Sequence, residues 1–527
     1  MGLLFETSPV EWLTMAIILF TSVWYYFKSE YSFWKKKGVR FISPVIPFGN
    51  IKDMILLRKA TGEMLKVLYD EFPEEPFVGT YELTKPMLII RDPELIKRVT
   101  VKDFSYFQDR GVPVNEELEP LGSHLLNLTG KKWRTLRSKL TPTFTSGKIK
   151  MMFHLMIECA EQLKDYLEKP AQNGEILEMK EAVAKYSTNV IGLCAFGLQF
   201  NAINESDSEF RRIGRRVFET SVIAAELRML QSAYPSAMKI FPMKIVPDEV
   251  NKHVIRTVKE VMEYREKNNV SRNDFMQLLI ELKNKGRVHD DEPVKSEDKL
   301  DRTSHKETET NVDFTETLLA SQAFIFFLAG FETSSTTLSF CLHELALNPE
   351  VQERLREEID STLEKYEGKI TYDAIHSMSY LDKVVDETLR KYPPIPVLLR
   401  VVTKPYVIPG SSVHLDVGMK VLVPIYALHH DPKYFPEPEV FNPENFSDER
   451  KAKRPHHAYL PFGDGPRVCI GLRFGLLQTK VGLTFLLSKF KFSVCEKTEV
   501  PLKLDPKAVI TAVTTGIWLR INKRSDS

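Results

Sequence analysis

A mainly α-helical body with a smaller β-rich part, carried behind one N-terminal membrane anchor, is the fold class the sequence predicts. Three observations predict it. An uncharged, mostly apolar run extends from Trp12 to Phe27, the pattern from about residue 131 to 285 is largely helical, and short apolar segments such as Pro86–Ile90 lie between residues 76 and 100.

The apolar run, WLTMAIILFTSVWYYF, is bounded by Glu11 and Lys28 and followed by Lys35, Lys36 and Lys37. Leu3, Leu4 and Phe5 extend it toward a full span, and its Trp and Tyr suit a membrane interface. No small-residue cleavage pattern follows, so it reads as a retained anchor; a buried core helix is the alternative. Positive charge on its C-terminal side places the body in the cytosol. Glu6 stands where myristoylation needs Ser or Thr.

Next comes Ser43-Pro44-Val45-Ile46-Pro47-Phe48-Gly49, whose prolines stiffen the chain. The organisation expected is an anchor over 1–30, a basic, proline-rich hinge over 31–50 and one body over 51–527. Within the body, Lys285–Asn311 is charged and poor in large apolar residues, which predicts an exposed loop. Tyr234–Ile245 is apolar with scattered lysines and reads as a shallow second membrane contact or as core.

Composition narrows the function. At 43% apolar and 27% charged residues, the chain is neither wholly disordered nor a multi-span membrane protein. Lys and Arg (72) balance Asp and Glu (71), so no global field favours nucleic acid, and none is expected as a partner. The five cysteines, Cys159, Cys194, Cys341, Cys469 and Cys495, are odd in number and widely spaced, which disfavours a disulfide framework or a zinc cluster.

Four motifs carry candidate chemistry. Trp133 and Arg137, four apart on a helix, offer an indole N–H and a guanidinium to a carboxylate, although a surface cation stack has the same spacing. Asp313-Phe-Thr-Glu316 looks like a capping box that opens a helix apolar on every side from Leu318 to Phe331. At its centre Ala329-Gly330-Phe331-Glu332-Thr333 places a glycine, an acid and a hydroxyl in apolar surroundings, either to admit a small ligand or as a kink whose hydroxyl bonds back one turn. Glu387 and Arg390 share one face of a helix that ends at Pro393-Pro394 and can pair, as many solvated residues do. In Phe462-Gly-Asp-Gly-Pro-Arg-Val-Cys-Ile-Gly471, two glycines allow a tight turn, and Cys469 precedes a helix whose free N–H groups favour a thiolate. Val468 at the third position breaks the dinucleotide-binding pattern, and no second Cys is near enough for zinc.

In this order, W-x-x-x-R, A-G-x-E-T, E-x-x-R and F-G-x-G-x-R-x-C-I-G resemble the cytochrome P-450 superfamily, from the proline hinge to the C-terminus. The anchor, Leu140–Gly147 and Ala329–Thr333 are most similar to microsomal, xenobiotic-metabolising members from insects. The resemblance implies the cytochrome P-450 fold, a single haem-thiolate domain with haem b between the central helix and the Cys469 loop. It gives Cys469 as axial ligand and Glu332 and Thr333 as oxygen-activating residues. Trp133, Arg137, Arg400 and Arg467 are expected at the haem propionates, with His124 beside them. Glu387 and Arg390 form a structural pair, which the family completes with an Arg in P-E-R-F. Here Pro443-Glu-Asn-Phe446 supplies Asn445, and Asn445→Arg is expected to raise thermal stability.

No nicotinamide or flavin site is visible, so electrons must arrive from another protein. The resemblance implies NADPH-cytochrome P-450 reductase as donor, with cytochrome b5 as a further partner, in the endoplasmic reticulum membrane. Lys131, Lys132, Arg134, Lys139, Lys451, Lys453 and Arg454 are candidates for the docking face or simply solvated charge. Sequons at Asn127, Asn204, Asn269 and Asn445 stay unmodified on a cytosolic body. Apolar small molecules, xenobiotics first, are the expected substrates. An endogenous hormone or lipid, or a reductase-independent haem-thiolate isomerase or ligand-binding protein, is the alternative.

Overall fold

The apolar run at the N-terminus forms a 22-residue helix, α1 (Pro9–Glu30), none of whose residues is buried against the rest of the protein. At 1.5 Å per residue it is about 33 Å long, enough for a hydrocarbon core of about 30 Å. The computed structural model describes residues 9–112, 114–203, 209–218, 246–285 and 314–524, with positions 230, 233, 234 and 244.

Residues 31–50 do not behave as a free hinge. Trp34 is wholly buried, its Nε1 donates to Thr80 O at 3.0 Å, and Tyr81 Oη donates to Tyr31 O at 2.9 Å. Gly79 accepts this indole because it has no side chain: a Cβ there would lie 2.5 Å from Trp34 Cγ. Indole burial outweighs the stiffness of the nearby prolines, so the packed body begins at about Tyr31 rather than at residue 51.

That body holds a four-stranded sheet of β1 (Phe77–Glu82), β2 (Lys85–Ile90), β3 (Leu398–Val401) and β4 (Lys420–Val423), in the order β1-β2-β4-β3. β1 and β2, within the strand-like stretch expected over residues 76–100, pair as a hairpin; β2 runs parallel to β4, and β3 returns antiparallel with Arg400 opposite Val421. A second sheet joins Ile176–Glu178, Trp518–Lys523 and Phe490–Ser493.

The helices that matter for the site are α2 (Gly130–Leu140), α3 (Ser146–Gln172), α4 (Met179–Ile191), α5 (Asp248–Asn268), α6 (Glu316–Leu347), α7 (Ser379–Lys391) and α8 (Leu472–Lys489). The 32-residue α6 is apolar all round and runs through the core, packed on α4, α5 and α8. It opens at Glu316, where Thr315 Oγ1 accepts from Leu318 N at 3.2 Å. The cap is therefore Thr315; Asp313 lies outside the described residues, as do residues 286–311 of the expected loop and all of Tyr234–Ile245 except Tyr234 and Lys244. Tyr234 itself shares a 2.6 Å hydrogen bond with Thr84 Oγ1.

Trp34→Ala should destabilise the body by about 3–5 kcal/mol, the usual cost of emptying an aromatic site. Denaturant unfolding of the variant beside the wild type measures it.

Candidate functional site

Helix α6 is buried along nearly its whole length, yet Ala329 near its middle is exposed, between buried Leu328 and Phe331. A solvent-reachable alanine inside a core helix marks an internal hollow. Gly330 gives up its side chain for a different neighbour: a Cβ there would fall 2.2 Å from Ile191 Cδ1 of α4. The glycine thus serves close helix packing, while the hollow opens at the adjacent alanine.

The two polar residues of this turn are both engaged. Thr333 Oγ1 donates to Ala329 O at 2.5 Å, the backward bond expected of a hydroxyl that loosens a helix. Glu332 Oε1 is held at 2.8 Å by Lys180 Nζ of α4. The same ammonium donates to Thr336 Oγ1 at 2.6 Å and Ser335 Oγ at 3.0 Å.

The Cys469 loop begins with a turn that only glycine fits. Gly465 has φ +68°, and a Cβ on it would lie 1.9 Å from Thr100 O. Asp464 Oδ1 accepts from Gly465 N at 2.6 Å, Cys469 N donates to Phe462 O at 2.9 Å, and α8 starts at Leu472. Cys469 is exposed although protein surrounds it, so its sulfur lines an internal space. Burial pushes this thiol's pKa up; the Gly471 N–H, Arg137 and Arg110 pull the other way and do not overcome it. A helix start alone therefore does not ionise Cys469.

Guanidinium groups gather beside the loop. Arg137 is buried and its Nη1 donates to Val468 O at 3.0 Å. Arg467 stacks on Trp133, 4.0 Å from the ring centre. Arg400 is fully buried in β3; Nη1 reaches Leu399 O at 3.0 Å, while Nε and Nη2 have no hydrogen-bond partner. Burial and Arg110 hold Arg400 below its ordinary pKa, and burial, Arg110 and Arg400 do the same to Arg467. The one carboxylate acting on Arg467 among the described residues is Asp109, at 3.6 Å. His124, buried nearby, has an unpartnered Nδ1, and burial lowers its pKa to about 4.

The Cytochrome P-450 family model matches residues 43–519. The chain belongs to the cytochrome P-450 family. It is 41% identical to cytochrome P-450 6k1 of Blattella germanica over 514 residues, covering 97% of each chain. It is 42% identical to cytochrome P-450 6a2 of Drosophila melanogaster over 508 residues, covering 95% of this chain and 97% of that one. Membership makes it a haem-thiolate monooxygenase that works with a redox partner on apolar substrates. The residues present fit such a group. Two unpartnered donors on buried Arg400 want anionic acceptors, and an accessible sulfur at a helix start suits a metal.

The expected third cation beside the Glu387–Arg390 pair is replaced by Asn445. Here Arg390 Nε and Nη2 each lie 2.8 Å from a Glu387 oxygen, both side chains fully buried. Asn445 Nδ2 donates to Glu387 Oε1 at 3.1 Å. Arg450 Nη1 in turn donates to Asn445 Oδ1 at 2.6 Å, and Arg454 Nη1 to Asn445 O at 3.0 Å. The missing charge is supplied from outside, relayed by the amide. Asn445 is buried in this network, so its sequon is inaccessible in the folded chain.

Sequence reading missed Arg110, Lys180 and Arg450, whose partners lie far away or carry no motif. Arg467 donates to Gln108 O (2.9 Å) and Leu128 O (2.7 Å) and so braces the preceding loop. Arg454, counted among docking cations, is half-buried over the Phe435 ring at 4.3 Å.

The expectation that Asn445→Arg stabilises is reversed by Arg450 and Arg454. A larger cation placed beside two existing ones should lower the melting temperature, at an overpacking cost of about 1–3 kcal/mol. Asn445→Arg with Arg450→Ala should recover part of it in the same thermal scan.

Proposed function

We propose that the hollow between α6 and the Cys469 loop would hold haem b through Cys469 Sγ, and that the enzyme oxidises apolar xenobiotics. The observation that carries this reading is the interior sulfur reachable at the start of α8, beside a buried arginine with two unused donors. When bound, a haem with thiolate ligation binds dioxygen and favours its heterolytic cleavage.

The chain's own residues position and protonate. Arg400 and Arg137, with Trp133, face the carboxylates of the group, and His124 stands at the rim as a neutral imidazole. Arg467 fixes Gln108–Leu128 against the loop. Thr333 would offer its hydroxyl to the hollow by releasing Ala329 O, and Glu332, once it leaves Lys180, would relay a proton taken up from solvent. Glu387, Arg390 and Asn445 keep the scaffold in place. Exposed Ala329 gives the hollow an apolar surface suited to apolar substrates.

Electrons come from NADPH through NADPH-cytochrome P-450 reductase, with cytochrome b5 as a second donor. Exposed Lys131 and Arg134 at the start of α2 support a basic docking face. Lys132, Lys451 and Lys453 are tied to Glu116, Asp386 and Glu449 at 3.1, 3.5 and 2.6 Å and contribute less charge. α1 anchors the chain in the endoplasmic reticulum membrane, and the basic residues after it support a cytosolic body.

The reduced, carbon monoxide-bound wild type should show a strongly red-shifted Soret band that Cys469→His abolishes. An imidazole-like band in well-folded wild type would refute the ligand. With reductase and an apolar probe substrate, Thr333→Ala should keep haem and substrate binding but lower product per NADPH roughly tenfold, about 1.4 kcal/mol. Hydrogen peroxide should rise to match.

A further inference from the structure

The loop leading to Cys469 carries a second constellation, absent from the chemistry above. His456 and His457 sit on the short turn His456–Ala458, and Asp464 returns toward them before Gly465. His457 Nε2 lies 2.8 Å from Asp464 Oδ2 and His456 Nδ1 lies 3.9 Å from the same oxygen. One donor atom from each of the three lies within 4.8 Å of the others.

Two details separate this cluster from a chance surface group. Asp464 is pinned, because its Oδ1 accepts from Gly465 N at 2.6 Å, so Oδ2 is presented in a fixed direction. His457 is only 10% exposed, and its Nε2, despite that short approach, makes no aligned hydrogen bond and is left without a partner. A buried ring nitrogen and a carboxylate oxygen that meet off the hydrogen-bond line are arranged as two ligands of a shared cation. His456 is 79% exposed and can swing its ring inward at little cost.

We propose that His456, His457 and Asp464 bind one divalent transition-metal ion, with Zn2+ the best match. Two imidazoles and one carboxylate select zinc, copper or nickel over magnesium and calcium. Three protein ligands leave one tetrahedral position to water. Lys97 opposes a cation near His457, but Glu94, 3.8 Å from Lys97, offsets it. Because Asp464 immediately precedes the Gly465–Arg467 turn, an occupied site ties the surface turn to the segment that presents Cys469.

The test is calorimetric titration of untagged, EDTA-treated, full-length holoenzyme with ZnCl2. The expected result is one ion per chain, no heat with CaCl2, and at least tenfold weaker binding in both His456→Ala and Asp464→Asn. Exposed His456 makes the first variant safe for folding, and its carbon monoxide spectrum verifies that. No saturable zinc binding by wild type, or a loss below tenfold in correctly folded His456→Ala, overturns the site. Neither result bears on Cys469 ligation, which the spectrum alone decides.

Discussion

The placement of Cys469 rests on an ion pair well away from it. Arg390 clamps Glu387 with two nitrogens and spends a third on His429 O at 3.0 Å. His429 Nε2 then accepts from Leu460 N at 3.0 Å, Leu460 O accepts from Gly463 N at 3.1 Å, and Phe462 O accepts from Cys469 N at 2.9 Å. An unbroken run of hydrogen bonds and short backbone thus leads from α7 to the thiol. Breaking a buried pair by removing one partner typically costs about 3–5 kcal/mol, because the other charge stays buried. Here such a loss would also release the loop.

The site sets cost against specificity. Clustered guanidiniums at the Cys469 loop repel one another, and Arg400 is buried with two donors unused. Folding pays for this arrangement elsewhere, in the aromatic core around α6 and the bonded loops that Arg467 ties down. In return the interior has a standing preference for a guest that carries anionic groups. The same economy appears at α6, where Lys180 pairs with Glu332 inside the core.

The parts of this arrangement legible in the sequence were the local ones. A helix apolar on all sides announces burial, a glycine-flanked cysteine before a helix announces a presented thiol, and Glu387 and Arg390 share a face by spacing alone. Their geometry followed. What stayed hidden depends on contacts far apart in the chain. Lys180 meets Glu332 across more than 150 residues, and Arg110 reaches Arg467 O across more than 350. Arg450, only five residues from Asn445, was missed for another reason: a residue in an exposed acidic-basic run gives no sign that one of its nitrogens reaches inward. Trp34 taught the same lesson, since prolines suggested a stiff linker while a single indole decided the packing.

The contact between Gly330 and Ile191 has a consequence for how the interior can change. The wall of the hollow is backed by a buried side chain of α4, since the terminal methyl of Ile191 occupies the place a Cβ at Gly330 would take. A shorter residue at 191 would let α6 settle toward α4 and widen the chamber without altering any group that lines it. Diversification of what this enzyme accommodates can therefore proceed from behind the wall, by substitutions that leave the surface met by the substrate chemically the same.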